Sequence, residues 1–271
     1  MTVDEIKRFL IGEPFPTSRE IHERLDKVRA LAVFASDPIS SNAYATEAIM
    51  SVLVVLGSGA LRLTLPLALA VAGLVLLVIF SYIQTILHYP DGGGAYTVAK
   101  DNLGTFPSLL AAAALLTDYI LTVSVSVSAG VRAVTSAFPE AFQYRVIMAI
   151  LAIAMITWIN LRGVRESGTI FSIPTYAFVG GVLVVILIGL VRYFGLFGVQ
   201  PLTPAPLHVA PQRSALGFAY VWLLLRAFAG GCTALTGIEA ISNGVQAFKP
   251  PESKNAAETM VAMGLMAMSL F

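Results

Sequence analysis

The sequence predicts an all-α integral membrane protein in which two of the membrane helices are broken. Three observations carry that prediction. The 271 residues are 57% hydrophobic and only 12% charged, whereas soluble domains sit near a quarter charged. Apolar stretches of membrane-crossing length recur along the chain. In the first and sixth of them, Pro or Gly interrupts the run beside a carboxylate.

A hydrocarbon core roughly 30 Å thick takes about 20 residues of helix to cross. Six stretches meet that length, at about 31–57, 61–88, 104–137, 144–161, 168–196 and 215–247, and a seventh begins near 256. None alternates with period two, and backbone groups in lipid must be satisfied internally, so helices are expected throughout. Residues 1–30 are polar and mixed in charge, which divides the chain into a cytoplasmic N-terminal segment, 1–30, and a transmembrane transport domain, 31–271. The run AAETMVAMGLMAMSLF stops at Phe271, so the chain is expected to be truncated in helix 7.

Lys and Arg set the expected orientation. With the N-terminus in the cytoplasm, the inside segments hold eleven: Lys7, Arg8, Arg19, Arg24, Lys27, Arg29, Lys100, Arg162, Arg165, Lys249 and Lys254. The outside segments hold five: Arg62, Arg132, Arg145, Arg192 and Arg213. That excess favours the N-terminus inside. Arg226 falls within the sixth span. No basic face exists for nucleic acid, and the lone Cys232 excludes a disulfide framework.

The first span contains FASDPISSNAYATEA. Pro38 has no N–H to give the Phe34 carbonyl, and its ring crowds that turn. Asp37, as the residue before proline, is expected outside the helical region, with Ser36, Ser40, Ser41 and Asn42 competing for the freed backbone. A break is therefore expected near 36–41. The sixth span contains AGGCTALTGIEAISNG, where Gly230, Gly231 and Gly237 are expected to loosen residues 230–237. Breaks in spans one and six fit an inverted repeat whose discontinuous helices meet at a midplane site.

Four acids lie within apolar spans: Asp37, Glu47, Asp118 and Glu239. An acid at the centre of a membrane helix costs about 2.5–3.5 kcal/mol on insertion scales, and Arg226 is the one intramembrane counter-charge. The surplus calls for a cation from solution. Asp118 and Thr122, four apart, share a helix face that Ser126 continues. Thr236 and Glu239 flank the second break, and Tyr44 lies beyond the first. Carboxylate, hydroxyl and freed carbonyl oxygens suit a hard monovalent cation. The bland readings are that Thr122 and Ser126 bond back to their own helix, that Tyr44 packs, and that Glu47 faces headgroups. His88 is read as a helix end, and the glycine run YPDGGGAYTVAKDN lacks the ending of a phosphate loop.

The runs FASDPISSNAYATEAI, YPDGGGAYTVAKDN, LLTDYILTVSVSVSAG, NLRGVRESG and TGIEAISNGVQAFKPPESKNAA resemble the amino acid–polyamine–organocation (APC) superfamily, and more narrowly its KimA-type KUP potassium/proton symporters. The resemblance runs from about residue 13 to 262. It implies a LeuT-type inverted-repeat fold with broken helices 1 and 6, a homodimer in the cell membrane, and potassium held by Asp37, Tyr44, Asp118, Thr122, Thr236 and Glu239. It also implies regulation by cyclic di-AMP through a C-terminal region absent from this sequence. Glu239 is the expected proton-coupling acid, because it adjoins the second break. No cofactor is expected.

Other readings remain open. One is a proton-coupled amino-acid permease or a polyamine or other organic-cation permease of the same superfamily. Asp37 disfavours a substrate carboxylate, since two like charges 4 Å apart cost about 4 kcal/mol at an effective dielectric of about 20, but it leaves organic cations open. The other is a membrane sensor or scaffold, which needs neither paired breaks nor surplus acids. An enzyme is not expected, because no nucleophile–base pair is spelled out and His22, His88 and His208 sit near span ends or in loops.

Overall fold

The computed structural model describes residues 12, 23–161, 164–198, 209–211 and 217–271. Most of the expected segment 1–30, together with His22, His208 and Arg213, lies outside the described residues. The elements are α1 (Lys27–Phe34), α2 (Ser36–Leu53), α3 (Thr64–His88), α4 (Gly94–Leu103), α5 (Thr105–Ala137), α6 (Arg145–Leu161), α7 (Val164–Phe194), α8 (Phe218–Gly231), α9 (Ala240–Asn243) and α10 (Glu252–Leu270). Short 3₁₀ turns join several of them. No strand occurs among the described residues.

Among the described residues, six helical segments are long and apolar enough to cross a membrane: Ser36–Leu56, Ser58–His88, Thr105–Ala137, Pro139–Leu161, Ser167–Phe194 and Phe218–Asn243. Their surfaces expose Leu65, Leu76, Phe80, Ile120, Leu121, Ile150 and Val185 among many others. Apolar exposure on that scale suits hydrocarbon rather than water. Helix α10 starts at Glu252 rather than near 256. Pro250 and Pro251 end the preceding backbone, and Glu252 in the first turn complements the positive end of the helix dipole.

The chain forms two compact units. The first comprises the described residues up to Val33, with Gln84–Ser172 and Glu239–Thr259. In it α4 packs on α5, α5 on α6, and α9 on α4. The segment before α1 is sewn to the segment before α10: Leu25 N–H donates to Ala247 O at 2.8 Å, and Lys249 N–H to Leu25 O at 3.0 Å. Arg24 and Lys27 pair with Glu252 and Glu258. Hydrogen bonding at its own backbone N–H, and then Arg24, hold the Glu252 carboxyl below the usual carboxylate range.

The second unit comprises Phe34–Ile83, Ile173–Ile238 and Met260–Phe271. Its centre is α2 against α8 and the 3₁₀ turn Cys232–Leu235. Ile49, Leu53 and Ala227 are fully buried there. Gly230 and Gly231, expected as part of a break, are instead the last residues of α8, and Gly231 is helical at φ −66° and ψ −29°. Their role is close approach. A Cβ on Gly231 would lie 2.7 Å from Ile49 Cδ1 and 3.1 Å from Val71 Cγ2, and one on Gly230 would lie 3.5 Å from Ala48 O. Small residues at such contacts let membrane helices pack closely.

Gly231→Ala should therefore lower the thermal unfolding midpoint of the purified protein, at an overpacking cost of about 1–3 kcal/mol. Adding Ile49→Val, which removes the obstructing Cδ1, should recover part of that loss. Strictly additive effects in the double variant would refute this packing account.

Candidate functional site

The second expected interruption is present, but the first is not where it was expected: residues 36–41 are helical throughout, and the only interruption nearby is a one-residue bend at Ala35, itself in the helical region at φ −89° and ψ −9°. The ladder breaks at Ala35, between α1 and α2. Asp37 and Pro38 are helical, in the first turn of α2. Pro38 still explains the break. The carbonyl its missing N–H would have served is that of Phe34, so the gap opens on the N-terminal side of the ring, and Pro is tolerated in a first turn. Ile39 N–H resumes the ladder on Ala35 O at 3.0 Å. Asp37 is thereby placed at a helix start, where the dipole favours its carboxylate, and Ser40 Oγ donates to Asp37 O at 2.9 Å.

The second interruption is longer. After α8 the chain tightens into Cys232–Leu235, becomes extended at Thr236 (φ −65°, ψ 133°), and turns left-handed at Gly237 (φ +84°) before α9 begins at Ala240. The Thr233 hydroxyl donates back to Gly230 O.

These two interruptions meet. A Cβ on Gly237 would sit 2.5 Å from Asp37 Oδ2 and 2.9 Å from Asp37 Cβ. The Gly237 backbone thus lies directly against the Asp37 side chain. Ser41 Oγ donates to Asp37 Oδ1 at 3.4 Å and lies 3.0 Å from Tyr44 OH. Asp37, Ser41 and Tyr44 stand at i, i+4 and i+7, one stripe of α2. Asp37 and Tyr44 are half-buried and Ser41 is buried. Carboxylate, two hydroxyls and a broken backbone are an oxygen-rich cluster of the kind that replaces the hydration shell of a monovalent cation.

Among the expected site residues, Asp37, Tyr44 and Thr236 belong to the second unit, and Asp118, Thr122 and Glu239 to the first. Asp118 and Thr122 are half-buried on α5, four apart on one face. Glu239 is 7% exposed and immediately precedes α9. Arg226 and Glu47 are exposed. His88 ends α3, its Nδ1 lying 2.9 Å from Gln84 O. Sequence reasoning read Ser41 only as a competitor for freed backbone. Its i, i+4 and i, i+3 spacing to Asp37 and Tyr44 was the signal for the bridging role.

The matched family model, described as amino acid permease, covers residues 25–271. The potassium transporter KimA of Bacillus subtilis (strain 168) is 46% identical over 266 residues, which are 98% of this chain and 43% of that protein. The chain belongs to the amino acid permease family. It is a multi-pass membrane protein of the APC type. The chloroplastic cationic amino acid transporters 6 and 7 of Arabidopsis thaliana are 28% and 27% identical, over 74% and 44% of this chain and 37% and 23% of their own lengths. The chain thus spans less than half the length of these curated relatives.

Gly237→Ala should be costly. A side chain at φ +84° adds about 1–2 kcal/mol of backbone strain, and its Cβ would overlap the Asp37 carboxylate. Gly230→Ala, whose Cβ meets nothing nearer than 3.5 Å, should be tolerated. Thermal unfolding in detergent distinguishes them, and equal midpoints would contradict the Asp37–Gly237 contact.

Proposed function

We propose that the protein is a secondary active transporter that imports potassium coupled to protons. The observation that carries this reading is Asp37, an acid at a membrane-helix break seated against the left-handed Gly237 of a second break. Such an arrangement suits a positive cargo, because carboxylate, hydroxyl and backbone oxygens gathered at helix breaks are the groups that replace a cation's hydration shell. The 46% identity to a potassium transporter supports potassium as that cargo.

In this reading Asp37, Tyr44, Asp118, Thr122, Thr236 and Glu239 supply the cation's oxygen ligands. Glu239 also couples the proton, its protonation changing as the site loads and empties. Residues 31–271 form the transport domain of a plasma-membrane homodimer, and 1–30 a cytoplasmic segment. Cyclic di-AMP regulation through a C-terminal region belongs to the same proposal and rests on the resemblance alone.

A second reading is an organic-cation permease, favoured by the likeness to two cationic amino acid transporters. Asp37 attracts an ammonium and repels a carboxylate, so it ranks polyamines above amino acids within that reading.

Asp37→Asn and Asp118→Asn should each reduce rubidium uptake to background in a potassium-auxotrophic host while leaving the protein folded. Losing a charge about 4 Å from the ion costs about 4 kcal/mol at an effective dielectric of about 20. Full uptake by both variants, or saturable amino-acid or polyamine flux by the wild type, would overturn the potassium reading. Glu239→Gln should uncouple proton movement from potassium in proteoliposomes. Lumen acidification with wild-type pH dependence would remove Glu239 as the coupling acid.

A further inference from the structure

The second unit buries an amide that nothing around it serves. Asn42 of α2 is 1% exposed, and neither its Nδ2 nor its Oδ1 has a hydrogen-bond partner among the described residues. Ser40, expected with it to compete for freed backbone, does so by donating to Asp37 O. Asn42 does not. An amide buried with both ends unpaired costs free energy, and such groups are few in native proteins.

Register shows what Asn42 stands against. Pro38, Asn42, Ala45 and Ile49 recur at i, i+4, i+7 and i+11, all buried, on one face of α2. The helix packs on α8 and on the turn Cys232–Leu235. A Cβ on Gly231 would meet Ile49, and one on Gly237 would meet Asp37, so the two stretches run antiparallel. Between those two contacts, Asn42 falls level with Ala234 and Leu235. It stands about 7 Å along the helix from Asp37, off the stripe of Asp37, Ser41 and Tyr44.

The backbone at that level is weakly tied. Leu235 O accepts from Ile238 N–H at 3.5 Å, beyond the usual range for such a bond. The bond closes a turn whose central residues are Thr236, at φ −65° and ψ 133°, and Gly237, at φ +84°. Those values are the type II pattern, with glycine where φ must be positive. The turn in turn seats Gly237 against Asp37.

We propose that Asn42 is a switch residue of the second helix break: when this turn opens, Asn42 Nδ2 replaces Ile238 N–H as the donor to Leu235 O. The described conformation keeps the long turn bond and bears the unpaired amide. The opened one pairs the amide and frees the Ile238 N–H. A moving element needs two such packings of similar free energy. Because Gly237 walls the site at Asp37, the switch acts on cation binding as well as on rate, both following the populations of the two states. This inference rests on the transporter reading given above.

Hydrogen exchange of the full-length protein in lipid nanodiscs tests it, with Asn42→Leu and Asn42→Ala beside the wild type. Each variant removes the group that favours opening. Exchange across residues 232–239 should slow about tenfold, the scale of one buried unpaired amide, while exchange across α5 stays within about twofold. Alanine cannot overpack the site, so it decides the matter if the leucine variant fails to fold. In proteoliposomes the folded variants should lower the maximal rate of rubidium uptake by a similar factor. Exchange over 232–239 that is unchanged or faster would overturn the proposal, since the amide would then be idle or already paired in the described conformation. Uptake at the wild-type rate would overturn it too. If the wild type itself moves no rubidium, the transporter reading fails, and the exchange result alone decides the switch.

Discussion

The contact on which the rest of the structure depends is that between the Asp37 carboxylate and the backbone of Gly237. It requires both partners to be unusual. Asp37 reaches the contact because Pro38 breaks the ladder at Phe34 and restarts a helix at Ser36. Gly237 offers a bare backbone because its left-handed φ of +84° suits a residue without a Cβ. Gly230 and Gly231 bring α8 close enough to α2 for the approach. Remove any of these and the acid loses the wall it is seated against.

That contact gives the buried polarity of α2 a purpose. Asp37, Ser41 and Tyr44 form a hydroxyl–carboxylate stripe on a helix that otherwise buries Ile39, Ala45, Ile49 and Leu53. In the proposed function these oxygens serve the cation. The first unit carries the other acids of the proposal, Asp118 on α5 and Glu239 before α9, and there Asn243 of α9 bonds the Tyr119 hydroxyl of α5.

Much of this was legible in the sequence because the governing physics is local. Spans follow from apolar run length, and the broken helices from Pro38 and Gly237, whose constraints act within a turn. That the expected break over 36–41 is absent, with only a bend at Ala35, has a local cause too. Proline removes the bond to residue i−4, so the gap precedes the ring, and the usual bias of a residue before proline away from helix yielded at Asp37. Gly230 and Gly231 were misread because the sequence cannot distinguish a glycine needed for backbone freedom from one needed for space. That distinction depends on Ile49 and Val71, far away in the chain. The Asn243–Tyr119 bond was illegible for the same reason, since it joins residues 124 apart.

The central claim is that Asp37 at the meeting of two helix breaks holds a monovalent cation. Anomalous diffraction from crystals of the protein grown in rubidium tests it most directly. The account predicts an anomalous peak within direct coordination distance of the Asp37 carboxylate, lost in Asp37→Asn crystals. A well-ordered site with no peak at Asp37, or a peak that persists in the variant, would contradict it.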